Sequence, residues 1–107
     1  MNTQCDITRD DIGLFCEQMA IMIELNSGLK IAAIEEVAAC APSPSMKNLI
    51  CQIRDDICLG NSFSDACKAH PDHFDGFFCG VLSEAEGQGS SALRMALEQL
   101  ANHLRKL

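Results

Sequence analysis

Between Gly60 and Gly89 the chain spells out helix starts and stops almost residue by residue. Gly60 stops one helix. Ser62, with Asp65 three positions on, makes a capping pattern for a short helix that carries Phe63, Ala66 and Cys67. Pro71 lacks a backbone donor and ends it. Asp72 is placed to cap the next helix, whose apolar stripe reads Phe74, Phe77, Phe78, Val81, Leu82 and Ala85. Gly87-Gln88-Gly89 then turns the chain into a last helix. Such punctuation leaves little room for anything but short helices joined by tight turns.

The same 3.6-residue period runs through the rest of the chain. Thr8 and Asp11 suit a capping box, after which Ile12, Phe15, Cys16, Met19, Met22 and Ile23 form one stripe to about Leu25. Asn26-Ser27-Gly28 breaks it. Leu29, Ala33, Val37 and Cys40 make a second stripe that Pro42 ends, and Ser43 before Pro44 opens a third helix. Met46, Leu49, Ile50, Ile53 and Ile57 face inward there. Leu93, Ala96, Leu97, Leu100, Leu104 and Leu107 mark the sixth. No segment alternates with period two. The expectation is all-α: a six-helix up-and-down antiparallel bundle with a short fourth helix, one domain over 1–107, ordered from about 8 to 106. Its core centres on Phe74, Phe77, Phe78, Val81 and Leu82.

Composition removes several function classes. A net charge of −7 argues against nucleic-acid binding, because phosphate contacts need a basic surface. No apolar run approaches the ~18–20 residues that cross a bilayer, and the first residues lack the pattern of a secretory signal. Taken alone, the sequence reads as soluble and cytoplasmic. Seven cysteines form an odd set with irregular spacing and no Cys-x-x-Cys. They read as reduced thiols, with Cys16, Cys51, Cys58 and Cys79 as small buried hydrophobes on helix stripes.

Candidate chemistry is sparse. Cys67, His70, His73 and Cys79 offer two thiolates and two imidazoles to zinc, but the spacing is unlike a finger and Pro71 separates the histidines. No metal and no cofactor are expected. In the pairs Asp10-Asp11, Glu35-Glu36 and Asp55-Asp56, neighbouring side chains point about 100° apart on a helix, so they read as solvated faces. Glu86, in the turn before the last helix, reads as a cap for that helix. No phosphate loop, nucleophile elbow or dinucleotide fingerprint occurs. The chain reads as no enzyme.

The order Gly60, Ser62, Ser64, Ala66, His70, Pro71, Phe74, Glu86 and Gly89 resembles the first cytoplasmic F domain of the inner-membrane platform proteins of type II secretion and type IV pilus assembly. The resemblance covers Thr8 to about Lys106. Departures from the family pattern are Phe63 and Cys67 in place of leucines, Ala85 in place of glycine, and Ser91 in place of a leucine that Leu93 can replace. The resemblance implies a docking module on the cytoplasmic face of the bacterial inner membrane, preceding a first membrane span. It would stand between an assembly ATPase and the growing pilus or pseudopilus, with other secretion or pilus components as partners. The isolated domain would be a monomer or weak dimer. The competing reading is a soluble helical adaptor of the death-fold kind.

Alternating helix directions would sort the charges. One end collects Arg9, Lys47, Lys68, His70, His73, His103, Arg105 and Lys106, as suits a face turned towards the membrane. The other collects Glu24, Leu25, Leu29, Asp55, Asp56, Leu59, Glu84 and Glu86, as suits a face turned towards a partner.

Overall fold

Most helices begin where a side chain accepts the amides that a first turn leaves unpaired. The computed structural model describes residues 7–106, and six helices account for most of them. Helix α1 (Arg9–Asn26) opens on a complete capping box: Asp11 N–H donates to Thr8 Oγ1 at 3.1 Å and Thr8 N–H to Asp11 Oδ2 at 3.0 Å. Helix α2 (Ile31–Ala39) starts after Lys30 without a side-chain cap. In α3 (Pro44–Cys58), Ser43 Oγ accepts from Met46 N–H and Pro44 takes the first position. Helix α4 (Phe63–Lys68) starts at Ser62, α5 (Gly76–Glu86) at Asp75, and α6 (Ser90–Lys106) follows Gly89, whose carbonyl accepts from Leu93 N–H.

The start of α5 corrects the expected register. His70 O accepts from both His73 N–H and Phe74 N–H at 3.0 Å, so the chain completes another turn beyond Pro71 before the helix begins. Asp75, not Asp72, is therefore the cap, its Oδ1 accepting from Phe78 N–H at 2.8 Å. Phe74 lies ahead of the helix and is buried from the loop, while Phe78, Cys79, Leu82 and Ala85 form the inward row. Phe77 falls outside that row and is 58% exposed, so it is no part of the core centre.

Two smaller shifts have similar causes. In α2 the buried row is Ala33, Ile34, Val37 and Ala38; Leu29 precedes the helix and is half-buried, and Cys40 follows it and is exposed. Cys58, the last residue of α3, is exposed and Cys51 half-buried, so neither is the core residue expected of it. Cys67 joins Cys16 and Cys79 inside instead.

Directions are read from contacts at both ends of the α1/α6 pair and at one end of the α5/α6 pair. Arg105 of α6 grips Glu17 of α1, and Gly13 lies against Ala101 O and Arg105. At the far end, Gly28 after α1 lies against Ser90 at the start of α6. Phe77 near the start of α5 meets His103 near the end of α6, their ring centres 5.1 Å apart. Thus α1 and α5 both run opposite to α6, as in an up-and-down bundle.

The core is built on aromatic rings brought together by three elements. Phe15 of α1 meets Phe63 of α4 edge-on at 6.2 Å, and Phe74 at 6.3 Å; Phe74 meets Phe78 at 4.9 Å. Among these rings lie buried thiols. Burial, with the added charge of Glu17, drives the Cys16 thiol far above its ordinary range, and burial likewise raises Cys67 and Cys79. These thiols stay protonated, which suits packing and not nucleophilic chemistry.

The raised thiols predict alkaline sensitivity. Unfolded cysteines lose their protons near pH 8.5 while the buried ones keep theirs, so above that pH the unfolded state binds fewer protons. Stability is fully present below about pH 8.5 and is lost as pH rises towards the folded values, by up to ~1.4 kcal/mol per pH unit for each thiol. The chain holds no tyrosine to blur the effect. Melting temperature followed from pH 8 to 10.5 should fall, and Cys16→Ala should flatten the slope; an unchanged slope refutes the assignment.

Candidate functional site

Ser62, Ser64 and Glu86 of the Gly60–Gly89 block meet at the first turn of α4. Gly60, at φ 104°, ends α3 in a Schellman pattern: Asn61 N–H donates to Asp56 O and Gly60 N–H to Ile57 O. A glycine is needed because L side chains resist that φ. The chain then enters α4, whose opening amides are all accounted for. Phe63 N–H donates to Glu86 Oε2 at 2.9 Å and Ser64 N–H to Glu86 Oε1 at 3.0 Å. Asp65 N–H donates to Ser62 Oγ and Ala66 N–H to Ser62 O. One carboxylate from the end of α5 thus closes the head of α4, favoured by the positive end of the helix dipole.

Glu86 therefore caps α4 and not the last helix, which corrects the expected role. The remaining motif residues have equally specific places. Ser64 is the one buried polar residue among those described, and its hydroxyl lies 3.2 Å from Ser62 Oγ. Ala66 is buried in the core. His70 O closes the turn that carries Pro71 and delivers Phe74 to the core. Its Nε2 is buried with no hydrogen-bond partner among the described residues. Gly89, at φ 112°, turns the chain into α6. Phe63 and Cys67 are buried in place of the expected leucines, and Leu93 is buried while Ser91 is exposed.

Chemically the arrangement is a lock. Both oxygens of Glu86 are engaged with amides, and the thiols of the block are buried and protonated. Among the described residues, no three of His, Cys, Asp or Glu gather as a metal ion requires. No helix among the described residues is long and apolar enough to cross a membrane.

The residues expected at the two charged ends have individual places in the structure. Lys68 and His103 both flank the first turn of α5, Lys68 beside Asp75 and Gly76 and His103 against Phe77. Lys106 and Arg9 are exposed at the end of α6 and the start of α1, and Lys47 is exposed near the start of α3. His70 and His73 are half-buried. Arg105 is committed elsewhere: its guanidinium forks onto Glu17 at 2.8 and 3.0 Å. At the other end Glu24, Leu25, Leu59 and Glu84 are exposed, Leu29 and Asp56 half-buried, and Asp55 is held by Arg54 at 2.8 Å. The Arg105–Glu17 pair spans 88 positions, so no local pattern announced it.

The family described as "Type II secretion system (T2SS), protein F" matches residues 15–107, which include the whole lock. The chain belongs to this family. It is 28% identical over 96 residues to the type IV pilus assembly protein PilC of Pseudomonas aeruginosa, covering 90% of this chain and 25% of that protein. TapC of Aeromonas hydrophila, also a type IV pilus assembly protein, is 28% identical over 96 residues, covering 90% and 22% respectively. PilC of Myxococcus xanthus is 30% identical over the same length and with the same coverage. The protein F-type chain thus spans about a quarter of the length of the curated relatives it matches.

Proposed function

We propose that this chain is a non-enzymatic docking domain of an inner-membrane platform protein, working on the cytoplasmic face in type IV pilus assembly or type II secretion. It helps couple an assembly ATPase to the extrusion of pilin or pseudopilin. The observation that carries this reading is the protein F match over residues 15–107, joined to relatives named for type IV pilus assembly. The geometry supports it. Ser62, Ser64 and Glu86 of the motif block are consumed in closing the fold, so docking falls to surfaces outside that block.

The basic end, led by Lys68, Lys106 and Arg9 with His103, faces anionic lipid; Arg105 contributes less because Glu17 neutralises it. The acidic end, led by Glu24, Asp56 and Glu84 with Leu25 and Leu59, faces the protein partner. Glu86 does not belong to that surface, since α4 holds it.

Two experiments test the assignment. In the full-length platform protein, Glu24→Lys with Asp56→Lys and Glu84→Lys should weaken co-purification of the cognate assembly ATPase about tenfold or more, a loss of at least ~1.4 kcal/mol. Undiminished association rejects the acidic end as the docking face. Each lysine near anionic lipid contributes about 1 kcal/mol, so Lys68→Glu with Lys106→Glu should weaken binding to phosphatidylglycerol vesicles by more than ~tenfold, and salt should do the same. Intact vesicle binding in that variant sinks the membrane-facing assignment.

A further inference from the structure

Among the described residues, one face of α1 is left without a partner, and its spacing is that of a docking seam. Leu14, Gln18, Ile21 and Leu25 follow intervals of four, three and four, the row a helix offers to another helix. Leu14 is half-buried, whereas Ile21 and Leu25 are 56% and 73% exposed. Beside Ile21 runs a shallow groove of about 220 Å³ between α1 and α2, with Met22 and Val37 as its apolar wall and Glu36 and Cys40 on its edge.

Charge decides what fits there. Two other acids on these helices are answered within the molecule: Arg105 holds Glu17 and Arg54 lies 3.6 Å from Glu35. Glu24 and Glu36, which flank the seam and the groove, make no ion pair among the described residues. Arg94, which lines a shallow pocket together with Glu24, is spent on Glu98 at 3.0 Å. The surface is therefore an apolar ridge between unanswered carboxylates.

We propose that this ridge and groove seat a basic amphipathic helix of a partner protein. Its apolar row lies on Ile21, Leu25 and Met22, and its Lys or Arg side chains meet Glu24 and Glu36. A second copy of the chain fits poorly, because at net charge −7 it would set the same carboxylates against each other. Glu24 and Leu25 also belong to the acidic end proposed above, so the inference rests in part on that reading. Cys40 protection tests the groove and ATPase co-purification tests the end, so the two can fail separately.

Cys40 makes it testable. Its thiol is exposed at the edge of the groove, while Cys58, exposed at the end of α3, serves as an internal control. The probe is a synthetic helix of leucine and lysine at heptad spacing, with a leucine–glutamate helix for comparison. The leucine–lysine helix should slow maleimide capture of Cys40 about tenfold, leave Cys58 unchanged and lose its effect in high salt. Ile21→Ser with Leu25→Ser should abolish protection at an unchanged melting temperature. Glu24→Lys with Glu36→Lys should transfer protection to the leucine–glutamate helix. The proposal falls if Cys40 is not slowed, if Cys58 is slowed equally, or if protection survives either double substitution. It falls too if raising the concentration of the chain alone protects Cys40, which would make a second copy the occupant.

Discussion

Phe63→Ala and Phe74→Ala should each cost about 3–5 kcal/mol, while Phe77→Ala should cost less than ~1 kcal/mol. The contrast follows from position and not from residue type. Phe15, Phe63 and Phe74 are each 1% exposed, and Phe15 touches both of the others with its ring. Removing any of them forfeits the transfer energy of a benzyl group and leaves a cavity that three separate elements would have to collapse to fill. A domain this small has a total stability of roughly 5–15 kcal/mol, so one such change brings it close to unfolding at ambient temperature. Phe77 lies half in water, with only the His103 ring against it. Urea midpoints at constant slope would read the differences. Should Phe77→Ala prove as damaging as Phe63→Ala, the start of α5 would have to move and the loop around Phe74 with it. A double variant of Phe15 and Phe63 adds a further check. Rings in edge contact carry ~0.5–1.5 kcal/mol beyond their buried area, so the two costs should not add.

What could be read beforehand depended on how local the deciding interaction was. Thr8, Ser43 and Ser62 cap within three residues of themselves, and each was legible as a cap from its own neighbourhood. The apolar rows of α3 and α6 were legible for the same reason, because Met46 to Ile53 and Leu93 to Leu100 hold one register without interruption. The failures cluster where a tertiary contact overrides the pattern. Asp72 and Asp75 are both acceptable caps, and only the hydrogen bonds from His73 and Phe74 back to His70 O decide between them. That choice moves Phe74 off the helix and Phe77 into water. Glu86 failed in the same way: local grammar points it at the helix that follows, whereas its partners lie 22 and 23 positions back. A further signal did exist. A six-residue helix such as α4 is far too short to hold itself together, so its head needed an acceptor from elsewhere in the fold.

Glu86→Ala should therefore destabilise the domain by about 2–4 kcal/mol, and Glu86→Gln by about half as much. The carboxylate accepts two hydrogen bonds, one on each oxygen, from amides with no other acceptor within the helix. Glutamine keeps one acceptor oxygen, but its amide nitrogen would face a second N–H, leaving one donor unsatisfied and removing the charge that complements the helix dipole. Water reaches this half-buried site and recovers part of the loss, which keeps the expected cost below that of a fully buried pair. At about 4–8 °C per kcal/mol for a domain of this size, Glu86→Ala should lower the melting temperature by roughly 10–25 °C. Glu84→Ala, an exposed change two residues away, should stay within about 0.5 kcal/mol of the parent. The pair also separates two meanings of the motif. If Glu86 is a lock, its alanine variant loses ATPase association only as far as folded protein is lost, and lower temperature restores it. If Glu86 contacts the partner directly, association falls at temperatures where circular dichroism shows the domain intact. An alanine variant that melts with the parent would dissolve the lock and return Glu86 to the docking face.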